Sequence, residues 1–169
     1  SSAASDVYKR QELIEQHELI TLGGSRYLLV EFDFGLPGSV LLRTLEAIAQ
    51  RGLVPVVAHP ERYDAVQRDP GLAAWCFSRG MLLQLNKGSL LGLLGSRAED
   101  TALHLLSHGL AHLIASDAHD DRFRTTGFRS LLPVLEPICH PDYIALLLHG
   151  NPRRILRDEP IPIPPLQSD

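Results

Sequence analysis

From residue 26 onward one pattern recurs four times, and it restricts the possible folds more than any other feature of the chain. Each unit is a short unbroken apolar run, one or two polar residues, then an amphipathic stretch. The runs are Tyr27-Leu28-Leu29-Val30, Leu53 to Ala58, Met81-Leu82-Leu83 with Leu85, and Leu110 to Ala115. They lack the alternation of a half-exposed strand, as strands covered on both faces of a parallel sheet do. Pro55 cannot donate to a ladder, so the second strand should start near it or be irregular there. Between the runs, Leu41, Leu45 and Ile48, then Ala98, Ala102 and Leu105, then Phe128, Leu131 and Leu135 recur at helical spacing. Strands alternating with helices predict an α/β fold, either an open sheet or a barrel.

The polar residue that ends each run carries the functional information. Glu31 ends the first, His59 the second, Asn86 the third, and Ser116, Asp117 and His119 follow the fourth. Parallel α/β architectures bring the C-terminal ends of their strands to one rim, where active sites form. Glu31, His59, Asp117 and His119 are thereby predicted to converge as a mixed nitrogen and oxygen ligand set suited to Mn, Fe or Zn. Asp117 and His119, two residues apart, point the same way if that segment is extended. Because His59 precedes Pro60, its ring is expected to stay at the end of an extended segment.

Arginine adds the second half of the chemistry. Arg62 lies three residues past His59 and Arg124 five past His119, with Arg122 nearby. Guanidinium forks beside a metal suit a phosphate ester, the metal polarising oxygens and activating water while arginine takes oxygens bidentately. Each arginine taken alone is equally a solvated surface residue. Lys87-Gly88-Ser89 is either a plain turn or a source of backbone amides for an anion nest. A thiol mechanism fails on spacing, since Leu82 and Ala145 stand six residues after Cys76 and Cys139, where a cysteine phosphatase needs arginine. His104 and His108 are spaced i, i+4, but Leu105 replaces the glutamate of a zinc protease, leaving them as surface histidines. His17, His112, His140 and His149 have no partner pattern and are read as structural or solvated.

Several classes fall away. A net charge of -4 and a pI near 6.0 leave no footprint for nucleic acid. No apolar run approaches the roughly 18 residues a membrane helix needs, and Leu90 to Leu94 is interrupted by Gly92, so no membrane insertion is expected. Two unpaired-looking cysteines and no leader pattern fit a cytoplasmic protein. Ser5 to Gln11 looks like a translated transposon end, which marks residues 1–11 as a non-native scar. The proline-rich segment 158–169 reads as a solvated tail.

The segments Val56-Val57-Ala58-His59-Pro60-Glu61-Arg62-Tyr63, Gln84-Leu85-Asn86-Lys87-Gly88-Ser89-Leu90 and Ile114-Ala115-Ser116-Asp117-Ala118-His119, with Asn151-Pro152 and Ile155-Leu156, resemble the bacterial capsular-polysaccharide tyrosine phosphatases of the polymerase and histidinol phosphatase (PHP) superfamily. The resemblance covers residues 12–157. It implies the C-terminal part of a distorted TIM-like (β/α) barrel with a cluster of metals, usually manganese, that hydrolyses phosphotyrosine on the tail of a polysaccharide-assembly kinase. Glu31, His59, Asp117 and His119 would then be metal ligands, and Arg62 and Arg124 would bind phosphate. Members of the family also carry an HxH motif, a further histidine and a ligand glutamate ahead of the segment matching Glu31. Counting back from Glu31 sets that glutamate near Ala3, so the chain is expected to be N-terminally truncated and to hold less than the full multinuclear set. Two rival readings are another PHP phosphoesterase, such as a histidinol-phosphate phosphatase, and a fragment that binds the kinase without hydrolysing anything.

Overall fold

A computed structural model of the chain describes residues 21–116 and 127–165. Four strands, β1 (Tyr27–Val30), β2 (Val54–Ala58), β3 (Leu82–Asn86) and β4 (Leu113–Ala115), form one parallel sheet in sequential order. Between them run α1 (Gly38–Ala49), α2 (Asp64–Arg68), α3 (Gly71–Ser78), α4 (Lys87–Leu90) and α5 (Ser96–Ser107). After β4 come α6 (Leu132–Leu135), α7 (Pro141–Ala145) and α8 (Asn151–Leu156). The predicted mixed α/β arrangement is present, and both sheet faces are buried, which explains the unbroken apolar runs. Val57, Leu83, Leu85 and Ile114 pack with Leu41 and Leu45 of α1, Cys76 of α3 and Leu105 of α5 in the main core. Tyr27, Val56, Leu82 and Leu113 pack on the other face beneath Ile155 of α8, joined by Leu22 and Ile161.

Pro55 lies inside β2 without harm. Val54 donates its N–H to Arg26 O at 2.8 Å, so the next residue faces β3, and the β3 ladder begins one residue later at Val56↔Leu82. The missing N–H of proline therefore falls where no acceptor waits. The helix expected over 128–135 is instead a 3-10 turn, Arg129–Leu131, followed by the single turn of α6. Pro133 in its first turn and Pro137 just beyond limit it to that length. Between α7 and α8 the helix widens into a π stretch, Leu146–Gly150. Pro152 lacks the N–H that would continue ordinary helical bonding, and a wide turn absorbs the loss.

The segment after α8 is not solvated from its start, contrary to the sequence reading. Asp158, at φ 56°, accepts from the Arg26 backbone N–H at 3.0 Å and from its Nε at 2.8 Å. Tyr27 donates its hydroxyl to Glu159 O at 2.6 Å, and Pro164 is buried. Alternating Ile161 and prolines give no helical or strand period, so periodicity could not reveal that this segment packs. Residues 1–11 and 166–169 lie outside the described residues.

Candidate active site at the strand-end rim

The ends of β1, β2 and β3 present Glu31, His59 and Asn86 on one rim, as parallel pairing in sequential order requires. His59 makes the last rung between β2 and β3, donating its N–H to Gln84 O at 2.7 Å. The chain then turns through a left-handed conformation at His59, φ 38° and ψ 56°, into the 3-10 turn Pro60–Arg62. This corrects the expectation of an extended His59. Pro60 closes the right-handed region to the residue before it, and the backbone reverses through the left-handed one instead. That conformation costs a non-glycine residue about 1–2 kcal/mol, a strain that clusters at functional sites.

Three side chains that sequence reasoning gave no role hold this turn. Tyr63 is fully buried. Its hydroxyl donates to Ala58 O at 2.7 Å and accepts from Phe32 N–H at 3.1 Å, tying the residue before His59 to the residue after Glu31. Glu61 is also fully buried, and its Oε1 accepts from Asn86 N–H at 2.8 Å, joining the end of β2 to the end of β3. Gln67 of α2 donates to the Glu61 carbonyl at 2.8 Å, while Oε2 of the buried carboxyl has no hydrogen-bond partner. Burial pushes the Glu61 carboxyl up to about 7, against the opposing pull of the Asn86 N–H. Asn86 in turn caps α4, its Oδ1 accepting from Gly88 N–H at 2.8 Å. A capped one-turn helix thus occupies Lys87-Gly88-Ser89, and the Gly88 amide is already engaged.

The third side chain is Phe34, on the loop after Glu31. Its ring meets His59 edge-on at 5.6 Å, and the Arg62 guanidinium lies 4.5 Å over its centre. His59 also meets Tyr63 edge-on at 5.4 Å. One aromatic ring therefore touches both the candidate ligand His59 and the candidate phosphate-binding Arg62. Lys87 reaches across to donate to Gly127 O and stands 5.9 Å from the Phe128 ring centre.

Of the residues selected from sequence, Glu31, His59 and Arg62 lie on this rim. Asp117, His119 and Arg124 lie outside the described residues. Among the described residues no three ligand-type side chains gather, and of the four expected ligands only Glu31 and His59 fall among those residues. A carboxylate and an imidazole nevertheless fit a divalent ion of the Mn, Fe or Zn type. Cys76 and Cys139 are free and buried, and burial pushes their thiols up to about 12 and about 11, which disfavours the thiolate at neutral pH. Glu61 and Tyr63 sit in the segment that carries the family resemblance, but nothing in the sequence marks an acidic residue as buried.

At the far end of the sheet Asn151 donates to His112 O at 2.9 Å and Tyr143 to Ala111 O at 2.6 Å, so α7 and α8 clamp the entry to β4. The Asn151-Pro152 pair thus has a structural task. His112 accepts from Leu83 N–H through Nδ1 at 3.0 Å and stacks on Phe77.

Comparison with known proteins gives a consistent picture. The family described as capsular polysaccharide synthesis, CpsB/CapC, matches residues 5–157. The tyrosine-protein phosphatase YwqE of Bacillus subtilis is 29% identical over 148 residues, covering 88% of this chain and 58% of its own length. The putative tyrosine-protein phosphatase CapC of Staphylococcus aureus is 34% identical over 108 residues, 64% of this chain and 42% of its own length. The tyrosine-protein phosphatase CpsB of Streptococcus pneumoniae is 28% identical, covering 88% of this chain and 63% of its own length. A crystal structure from work on YwqE and CpsB, described as unique metal-dependent tyrosine phosphatases, superposes with a TM-score of 0.72 at 29% identity, over 94% of this chain and 64% of that one. The matched part of the chain thus spans 42 to 63% of the length of these relatives. It belongs to the CpsB/CapC family of capsular polysaccharide synthesis proteins.

Proposed function

We propose that this chain is part of a metal-dependent tyrosine phosphatase that removes phosphate from the tail of a polysaccharide-assembly kinase in the cytoplasm. The observation that carries the reading is the rim itself, where Glu31 and His59 close neighbouring parallel strands and Arg62 is stacked on the ring that touches His59. In this reading the sheet is part of a TIM-like PHP barrel, the ligands are Glu31, His59, Asp117 and His119, and the ion is manganese. Such an ion, when bound, polarises phosphoryl oxygens and makes water acidic enough to attack at neutral pH. Arg62 pairs with phosphate oxygens and gains strength as negative charge develops on them, and Arg124 is assigned the same task. Tyr63 and Glu61 position His59 and Arg62 by fixing the turn that carries both. The buried free cysteines support both a reducing compartment and a mechanism without a thiol nucleophile.

The test is phosphate release from a phosphotyrosine peptide with added manganese, with bound metal measured in parallel. Arg62→Ala should keep its metal and lose about 2 to 4 kcal/mol of transition-state stabilisation. His59→Ala should lose metal and activity together, and Cys76→Ser should lose neither. Faster turnover of histidinol phosphate than of the peptide would move the assignment to a different phosphoesterase. Peptide binding without hydrolysis would reduce it to a docking role.

A further inference from the structure

The last turn of α5 carries a second group of metal-type donors. His104 lies on the exposed face of this helix and His108 follows one turn later as its C-cap, while Ala102, Leu105 and Leu106 turn inward. The two rings are in contact, their centres 4.1 Å apart and their planes inclined by 33°. Nδ1 of His108 is 2.8 Å from the His104 carbonyl oxygen and 3.3 Å from Ser107 Oγ. A carbonyl can only accept, so Nδ1 carries the proton, and in the neutral ring the lone pair is the one on Nε2. Metal-binding histidines are oriented in the same way, by donating the other ring N–H to a carbonyl or carboxylate.

Other features of the pair favour a cation. Partial desolvation and the neighbouring His108 lower the basicity of the His104 imidazole, the direction that favours the neutral ring a ligand needs. The carbonyl end of a helix also attracts positive charge. Two imidazoles bound to one tetrahedral ion, at metal–nitrogen distances of about 2.1 Å, set their ring centres about 5 Å apart. Opening the observed contact by roughly 1 Å, within reach of side-chain rotation, would admit the ion. Because α5 leads into the start of β4, this pair stands at the opposite end of the sheet from Glu31 and His59.

We propose that His104 and His108 form a two-histidine site for a late first-row divalent ion such as Zn²⁺, with water completing the coordination. Imidazole suits zinc, copper and nickel, and the i, i+4 spacing lets both rings reach one centre from a single helix. The test is a titration of the chain with zinc chloride, followed by calorimetry and by the ring proton resonances of His104 and His108. It is run in a His59→Ala background, which removes one rim ligand, and binding is assigned to the pair by the shifts of its own two ring resonances. One equivalent should bind, shifting both sets of resonances. His104→Ala or His108→Ala should weaken it roughly 10- to 100-fold, at least the loss seen when a ligand's outer partner is removed. His104→Gln, which keeps a polar surface, should weaken it as well. Zinc affinity unchanged by these replacements, or absent from the His59→Ala chain altogether, would overturn the proposal.

Discussion

Replacing Tyr63 with phenylalanine deletes a single oxygen from a side chain with no exposed surface, so the core keeps its shape and the effect isolates the hydroxyl. That hydroxyl serves two backbone groups at once, donating to Ala58 O and accepting from Phe32 N–H. Leaving a buried polar group unpaired costs about 1–3 kcal/mol. Ala58 lies in the buried part of β2, whereas Phe32 is only half-buried and recovers part of its loss from water. The sum for Tyr63→Phe is therefore about 2 to 4 kcal/mol. Tyr143→Phe is the internal control, because its hydroxyl serves only Ala111 O, and it should lose about 1 to 2 kcal/mol. Urea unfolding midpoints at constant slope give both numbers, and amide exchange at Phe32 gives the local effect. In Tyr63→Phe that amide should lose protection beyond the global loss. A destabilisation below about 0.5 kcal/mol with Phe32 still protected would refute the idea that this hydroxyl ties the two strand ends together.

Glu61→Ala orphans the Asn86 N–H and opens a small void, and urea unfolding should register about 2 to 4 kcal/mol; Glu61→Gln retains an acceptor for that N–H and should lose less. An equal loss in both variants would mean that the charge, and not the hydrogen bond, matters. His112 is held down to about 4 by burial, while the unfolded chain titrates near 6.5. Its contribution is complete above pH 6.5 and is lost as the pH falls toward 4, because only the unfolded chain takes up the proton there. The loss amounts to about 3 kcal/mol. In His112→Gln the stability should vary less steeply over that window, and parallel pH profiles would refute the assignment. Phe34→Leu removes the π face beneath Arg62 and should cost about 0.5–1 kcal/mol in urea unfolding while weakening capture of a phosphotyrosine peptide. Unchanged peptide affinity would remove Phe34 from the site.

The parallel sheet was legible in the sequence because burial on two faces writes an unmistakable signature, and the positions of Glu31, His59 and Arg62 followed from the strand ends. What lay beyond reach has a common cause. The left-handed turn at His59, the burial of Glu61 and the double duty of Tyr63 all depend on contacts between strands that are distant in sequence, and periodicity records only which face a residue takes. Pro55 reads as a fault until the Val54 bond shows which neighbour its missing N–H faces. The segment from Asp158 to Pro164 reads as a tail because it has no repeat, yet it is held by individual bonds to Arg26 and Tyr27.

Those bonds join residues 132 positions apart, and this sets the sequence of events in folding. Closing a loop of that length in an unfolded chain forfeits on the order of 4 kcal/mol of entropy. The sheet avoids such closures, since Tyr27 pairs with Val54, Val56 with Leu82, and Gln84 with Leu113, each partner fewer than about 30 residues away. Neighbouring units can zip one after another, and each step shortens the path that separates Arg26 from Asp158. On this ordering the clasp is expected to close last, so that Asp158→Ala should speed unfolding more than it slows folding.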